Sequence, residues 1–276
     1  MVAVVGTAAR DPAVDSLKRM RAYKSIRPSL KMNNLNIKIK PQKDYECLSS
    51  CLKAVFDYYK KGIDLEEIIQ FISDNSYKLY DWEFKAGRLA IKLGLNAMIY
   101  TNVTQIFDPS WHALNRDQLL NKLKKELSYS KSRQKIIEKE PDQKFFIYPN
   151  KIISQRITDE IKEAINFLVA GGKFNFEPIS THLIEKIINN KIPIITSFNP
   201  VLLHRLKRVY NNKPNDIRGL TWGHVIIIAG YDKNNFIIKD PDGEFYRNKL
   251  TYKVNKDLML ESILRYNGQL IVIKKR

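Results

Sequence analysis

Four side chains in this sequence are of the types that together break acyl bonds: Gln42, Cys47, His224 and Asp240. A cysteine sulfur can attack a carbonyl carbon, and an imidazole can take its proton and return it to the leaving group. A carboxylate can fix the imidazole tautomer, and an amide N–H can stabilise the oxyanion. His224 and Asp240 bracket the stretch WGHVIIIAGYDKNNFIIKDPDG (222–243), in which two apolar runs flank the polar turn DKNN. Antiparallel pairing of VIIIAGY with FIIKD brings the start of the first strand and the end of the second to the same edge of a sheet. Asp240 thereby comes within reach of His224.

The nucleophile is sought in the stretch PQKDYECLSSCLKAVFDYY (41–59). Asp44 reads as the cap of a helix whose apolar residues Leu48, Cys51, Leu52, Val55, Phe56 and Tyr59 recur at helical spacing, with Gly62 as its stop. Cys47 then falls in the first turn, where the helix dipole and a neighbouring imidazolium both favour a thiolate. Gln42, five residues upstream, can donate to a developing oxyanion beside a backbone N–H. Cys51 lies on the apolar stripe and reads as a small buried hydrophobe. Two cysteines four apart suit neither a disulfide nor a disulfide framework, so both are expected to be reduced. His112, His182 and His204 have no metal-ligand spacing, and neither a metal nor an organic cofactor is expected.

Taken together, the two quoted segments resemble the papain-like cysteine peptidases of the bacteriocin-processing family, which remove double-glycine leader peptides, and their stand-alone relatives. That family has a Gln a few residues before a Cys at a helix start. Much later come His, an apolar strand, GYD, a turn, a second apolar strand and Asp-Pro. The resemblance implies that Gln42 is the oxyanion-hole residue, Cys47 the nucleophile, His224 the general base and Asp240 its orienter. In layout it runs from about Ile37 to Lys274, and Leu48 stands where most members have glycine after the cysteine. The implied reaction is hydrolysis of a peptide or protein substrate through a thioester on Cys47. Two alternatives stand beside it: transfer of the acyl group to an amine by the same fold, or a basic binding module that keeps the fold without turnover.

These residues need a scaffold, and the pattern along the chain supplies one. Residues 1–31 read as a basic, flexible extension and 32–276 as one catalytic domain, with a Lys-rich insertion near 105–155. Helices are expected at 64–74, 83–94, 115–129, 158–169 and 179–190, and a loop at 130–144. Strands are expected at 95–101, 193–198 and 269–275 beside the hairpin. The fold class is α+β, papain-like, with N-terminal helices packed on a C-terminal antiparallel sheet. The net charge of +18, from 47 basic and 29 acidic residues, favours an acidic peptide or protein substrate. No motif for reading nucleic acid accompanies the charge, so specific nucleic-acid binding is not expected. No apolar run approaches the ~18 residues of a membrane span and no secretory leader is recognisable, so a cytoplasmic location is expected.

Overall fold

The computed structural model describes residues 33–276, apart from 44–45, 74–81, 102, 140–150, 247 and 267, with the backbone alone at 131–139, 151–155 and 245. The extension expected at 1–31 and the cap expected at Asp44 lie outside the described residues.

In chain order, β1 (Asn33–Asn34) is followed by the helices α1 (Cys47–Tyr58), α2 (Leu65–Ser73) and α3 (Trp82–Lys92). Next come β2 (Leu95–Thr101), α4 (Arg116–Lys139), α5 (Lys151–Val169), β3 (Lys173–Asn175), α6 (Thr181–Asn189), β4 (Ile194–Phe198) and α7 (Pro200–His204). A small hairpin of β5 (Val209–Tyr210) and β6 (Lys213–Pro214) precedes β7 (His224–Tyr231), β8 (Asn235–Lys239), β9 (Thr251–Asn255), α8 (Lys256–Leu264) and β10 (Gln269–Lys275). Eight strands form one sheet in the order β3-β2-β10-β4-β7-β8-β9, with β1 paired to the far end of β7. All pairings are antiparallel except β2 with β3. The α+β class and the helices-then-sheet layout hold.

Burial explains the position of α1. Leu48, Cys51, Leu52, Val55 and Phe56 recur on one stripe and are all buried, and the helix packs that stripe against β7. All eight residues of β7 are buried, because β4 and β8 flank it and helices cover it. An unbroken apolar run, not an alternating one, is what such a strand requires. Gly230 in this strand lies so close to β1 that a Cβ there would sit 2.3 Å from the Asn33 carbonyl oxygen, so the glycine lets β1 pair.

Three expectations need correction. The helix expected to stop at residue 129 runs on to Lys139, through the segment read as a loop. Residues 130–139 contain no Gly or Pro and are rich in Lys, Gln and Glu, which continue a helix readily. Likewise α5 begins at Lys151 and not near 158. The end of α1 is turned by Lys60, which takes the left-handed conformation at φ 59°, ahead of Gly62. The elements β3, α7, β5, β6, β9 and α8 were not expected; each is only two to nine residues long.

Helix α3 meets α5 at Phe167, which is fully buried with its ring edge-on to Phe174. Gly87 of α3 and Gly172 both lie against that ring, and a Cβ at either would approach it to 2.4 and 2.3 Å. Gly87→Ala is therefore expected to destabilise the protein by about 1–3 kcal/mol through overpacking, despite alanine's better helix propensity. A urea titration should show a lower midpoint with an unchanged slope, and a raised midpoint would refute the packing argument.

Candidate active site

Cys47 is the first helical residue of α1, directly after Glu46, the N-cap. Glu46 makes no side-chain capping hydrogen bond, so the sulfur sits at a helix start whose backbone N–H groups are not all taken by a cap. One turn on, the Cys51 thiol donates to the Val225 carbonyl at 3.5 Å. Val225 is the neighbour of His224, so this contact pins the start of α1 to the start of β7. Cys51 is fully buried and its thiol is pushed well up by that burial, which fits a packing role. Both cysteines are free.

His224 opens β7, opposite Phe198 of β4, whose ring stands edge-on to the imidazole at 5.7 Å. Asp240 follows the last residue of β8, and its N–H donates to the Leu250 carbonyl at 3.0 Å. The imidazole Nε2 lies 2.6 Å from Asp240 Oδ1, and both residues are buried. With Nε2 engaged by the carboxylate, Nδ1 is the ring nitrogen left to interact with Cys47. Burial alone would lower the pKa of His224. The hydrogen bonds to Asp240 and Cys47, with the charges on both, overcome that and push it up to about 10.

The Asp240 carboxylate has two further donors. The Asp242 N–H reaches Oδ1 at 2.8 Å and the Tyr252 hydroxyl reaches Oδ2 at 2.6 Å. Tyr252 stacks on Tyr246 at 4.4 Å, and its pKa is raised by burial and by the adjacent carboxylate, so it remains a donor. His204 lies at 6.2 Å from the Tyr252 ring, and burial lowers its pKa. Gln42 is held on the other side of the same turn. Its N–H donates to the Pro241 carbonyl at 2.9 Å and its side-chain amide to Asp242 Oδ2 at 3.4 Å. An amide carries two N–H bonds, so one remains to donate elsewhere.

The structure thus brings His224 and Asp240 into one hydrogen-bonded array, sets Cys47 within electrostatic reach of the imidazole and ties Gln42 to the edge through the Asp240–Asp242 turn. Tyr252, Asp242 and Phe198 support the array and were not anticipated. Tyr252 lies in the strand TYKVN, where burial alternates and Tyr252 and Val254 point inward. A separate cleft of about 430 Å³, lined among others by His112, Arg116, Lys173 and Phe174, shares no residue with the array.

The profile of the Peptidase_C39 like family matches residues 34–268. The chain belongs to that family. Among solved structures, a Bacillus anthracis protein provisionally named a C39-like peptidase aligns at 18% identity with a TM-score of 0.25. That alignment covers 35% of this chain and 48% of the other, too little to carry an argument. A search of curated proteins finds no match. Among the described residues no helix is long and apolar enough to cross a membrane.

The raised pKa of His224 has a consequence for stability. Its unfolded value is about 6.5, so the folded state holds the extra proton between there and about 10. The stabilisation is complete below the unfolded value and disappears as pH rises through the folded one. Urea midpoints measured from pH ~6.5 to ~9 should therefore fall for the parent protein and stay flatter for Asp240→Asn. Parallel slopes for the two proteins would show that Asp240 does not hold the proton on His224.

Proposed function

We propose that the chain is a papain-like cysteine peptidase whose triad is Cys47, His224 and Asp240, with Gln42 in the oxyanion hole. The observation that carries this reading is the path from Cys47, whose interaction with His224 helps raise the imidazole pKa, through the 2.6 Å hydrogen bond of His224 to Asp240. Its members come from a helix start and from two strand ends far apart in sequence, and a buried strand junction has no structural need of such a path.

With the proton of the pair already held on His224 Nδ1, the Cys47 sulfur attacks the carbonyl carbon of the scissile peptide. The second N–H of Gln42 and a backbone N–H at the start of α1 stabilise the oxyanion. As the C–N bond breaks, the imidazolium returns the proton to the departing amine, leaving a thioester on Cys47. Acylation then removes the sulfur charge that helped hold the proton on His224. The imidazole is released to act as a base on water, which hydrolyses the thioester and regenerates the thiol. Asp240 keeps Nε2 occupied throughout, and Tyr252 keeps Asp240 in place.

The substrate in this reading is an acidic peptide or protein, in keeping with the net charge of +18. By its sequence resemblance to enzymes that process double-glycine leaders, this reading places small residues beside the cut. Both thiols are free, which agrees with a reducing compartment such as the cytoplasm.

Iodoacetamide near neutral pH should label Cys47 and spare buried Cys51, and His224→Ala should slow the labelling. A peptide library digested and read by mass spectrometry should give free-acid products with the parent protein and none with Cys47→Ala. Gln42→Ala should lower kcat by about 10²–10³ with little change in KM, the loss expected when one oxyanion donor is removed. Labelling indifferent to His224, or cleavage that survives Cys47→Ala, would refute the assignment.

A further inference from the structure

Nine large hydrophobic side chains among the described residues are more than a third exposed, and their distribution is uneven. Four of them, Leu206, Tyr210, Ile217 and Leu220, lie in the segment 205–223 that links α7 to His224. Ile217 and Leu220 lead the whole set, at 84% and 75% exposed. Three more belong to segments that touch the active-site array. Tyr246 stacks on Tyr252, and Leu264 and Tyr266 lie at the end of α8, where the Tyr266 ring covers Gly223 so closely that a Cβ there would be 1.9 Å away.

The 205–223 segment is built to hold this display. Val209 and Leu220 exchange both backbone hydrogen bonds, at 3.1 and 2.9 Å. The Arg208 guanidinium donates to the Asp216 and Ile217 carbonyls, and Asn215 Oδ1 accepts from the N–H groups of Ile217 and Arg218. Asn211 and Asn212 make the turn between β5 and β6, both at positive φ, which asparagine tolerates. At the base, the Asn199 amide donates to Thr221 at 3.1 Å. The exposed apolar residues are thus preorganised by a hydrogen-bonded frame. The segment also carries Arg205, Lys207, Arg208, Lys213 and Arg218 against one acid, Asp216, which is itself 3.6 Å from Lys207. On α8, Glu261 is already paired with Arg265.

We infer that residues 205–223 form a substrate-docking flap that binds an apolar and acidic segment of the peptide to be cleaved. The inference rests on the peptidase reading, and it places substrate selection in a named element. Charge complementarity selects the occupant: apolar side chains framed by five cations match a peptide that combines Leu-, Ile- or Phe-like residues with Glu or Asp. Position agrees with it. Leu220 precedes His224 by four residues, a chain span of at most about 14 Å, so a side chain bound at Leu220 lies within about four residues of the scissile bond.

The test uses the full-length chain carrying Cys47→Ala, so that binding is read without turnover. Fluorescent peptides of about ten residues, one Glu/Leu-rich, one Ser-rich and one Lys/Leu-rich, are compared by anisotropy. The Glu/Leu peptide should bind roughly tenfold or more tightly than the others, and Ile217→Ser with Leu220→Ser should remove about that factor. Lys213→Glu with Arg218→Glu should weaken the Glu/Leu peptide and strengthen the Lys/Leu one. Equal affinities, or affinities unmoved by both pairs, overturn the proposal once urea midpoints show the variants to be folded. Binding to phosphatidylserine vesicles that the serine pair abolishes, with indifference to the peptides, overturns it in favour of a membrane surface. A dimer that the same pair dissociates overturns it in favour of a second copy. Selective binding without any hydrolysis by the Cys47 form supports the flap while refuting the peptidase reading.

Discussion

A carboxylate with no solvent access anchors the architecture around the candidate site. Asp240 is fully buried, and a buried carboxylate is tolerated only when its charge is matched by donors. His224, the Asp242 N–H and Tyr252 supply them, from β7, from the turn after β8 and from β9. Strands β7, β8 and β9 are neighbours in the sheet, so their register is what allows three donors to converge on one residue. The same turn accepts the Gln42 backbone N–H and side-chain amide, which extends its influence to the segment just before Cys47. Removing any one donor would leave a buried charge short of partners, which costs more than the bond itself is worth.

Cys47 reaches this anchor through packing, not through polar contacts alone. The apolar stripe of α1 lies on β7, and Cys51, one turn from Cys47, meets the backbone beside His224. A cysteine suits that point because it is small enough to let helix and strand approach and can still donate weakly to a carbonyl. The two cysteines of the chain thus divide the work: one is buried as packing, the other stays partly accessible at the helix start.

What could be read from sequence follows the range of the interactions involved. The β7–β8 hairpin was legible because two apolar runs around a polar turn encode a local pairing, and His224 and Asp240 came with it. Cys47 and Gln42 were legible from a helix start and a motif. Tyr252 was not, because its partner Asp240 is reached across a strand pair that neither residue's neighbours announce. The long reach of α4 was missed because charged residues without apolar periodicity resemble a loop, although they sustain a helix through propensity. The hairpin of β5 and β6 carried a readable sign in Asn211–Asn212, but two-residue strands lack the length for an alternating pattern.

The place of β10 decides how the two parts of the sheet are joined. This strand, Gln269–Lys275, lies between β2 and β4 in the middle of the sheet. The strands β2 and β3 therefore reach the strands that carry His224 and Asp240 only across β10. Since β10 is far from β2 in sequence, the joining step is a long-range pairing, the slow kind in folding.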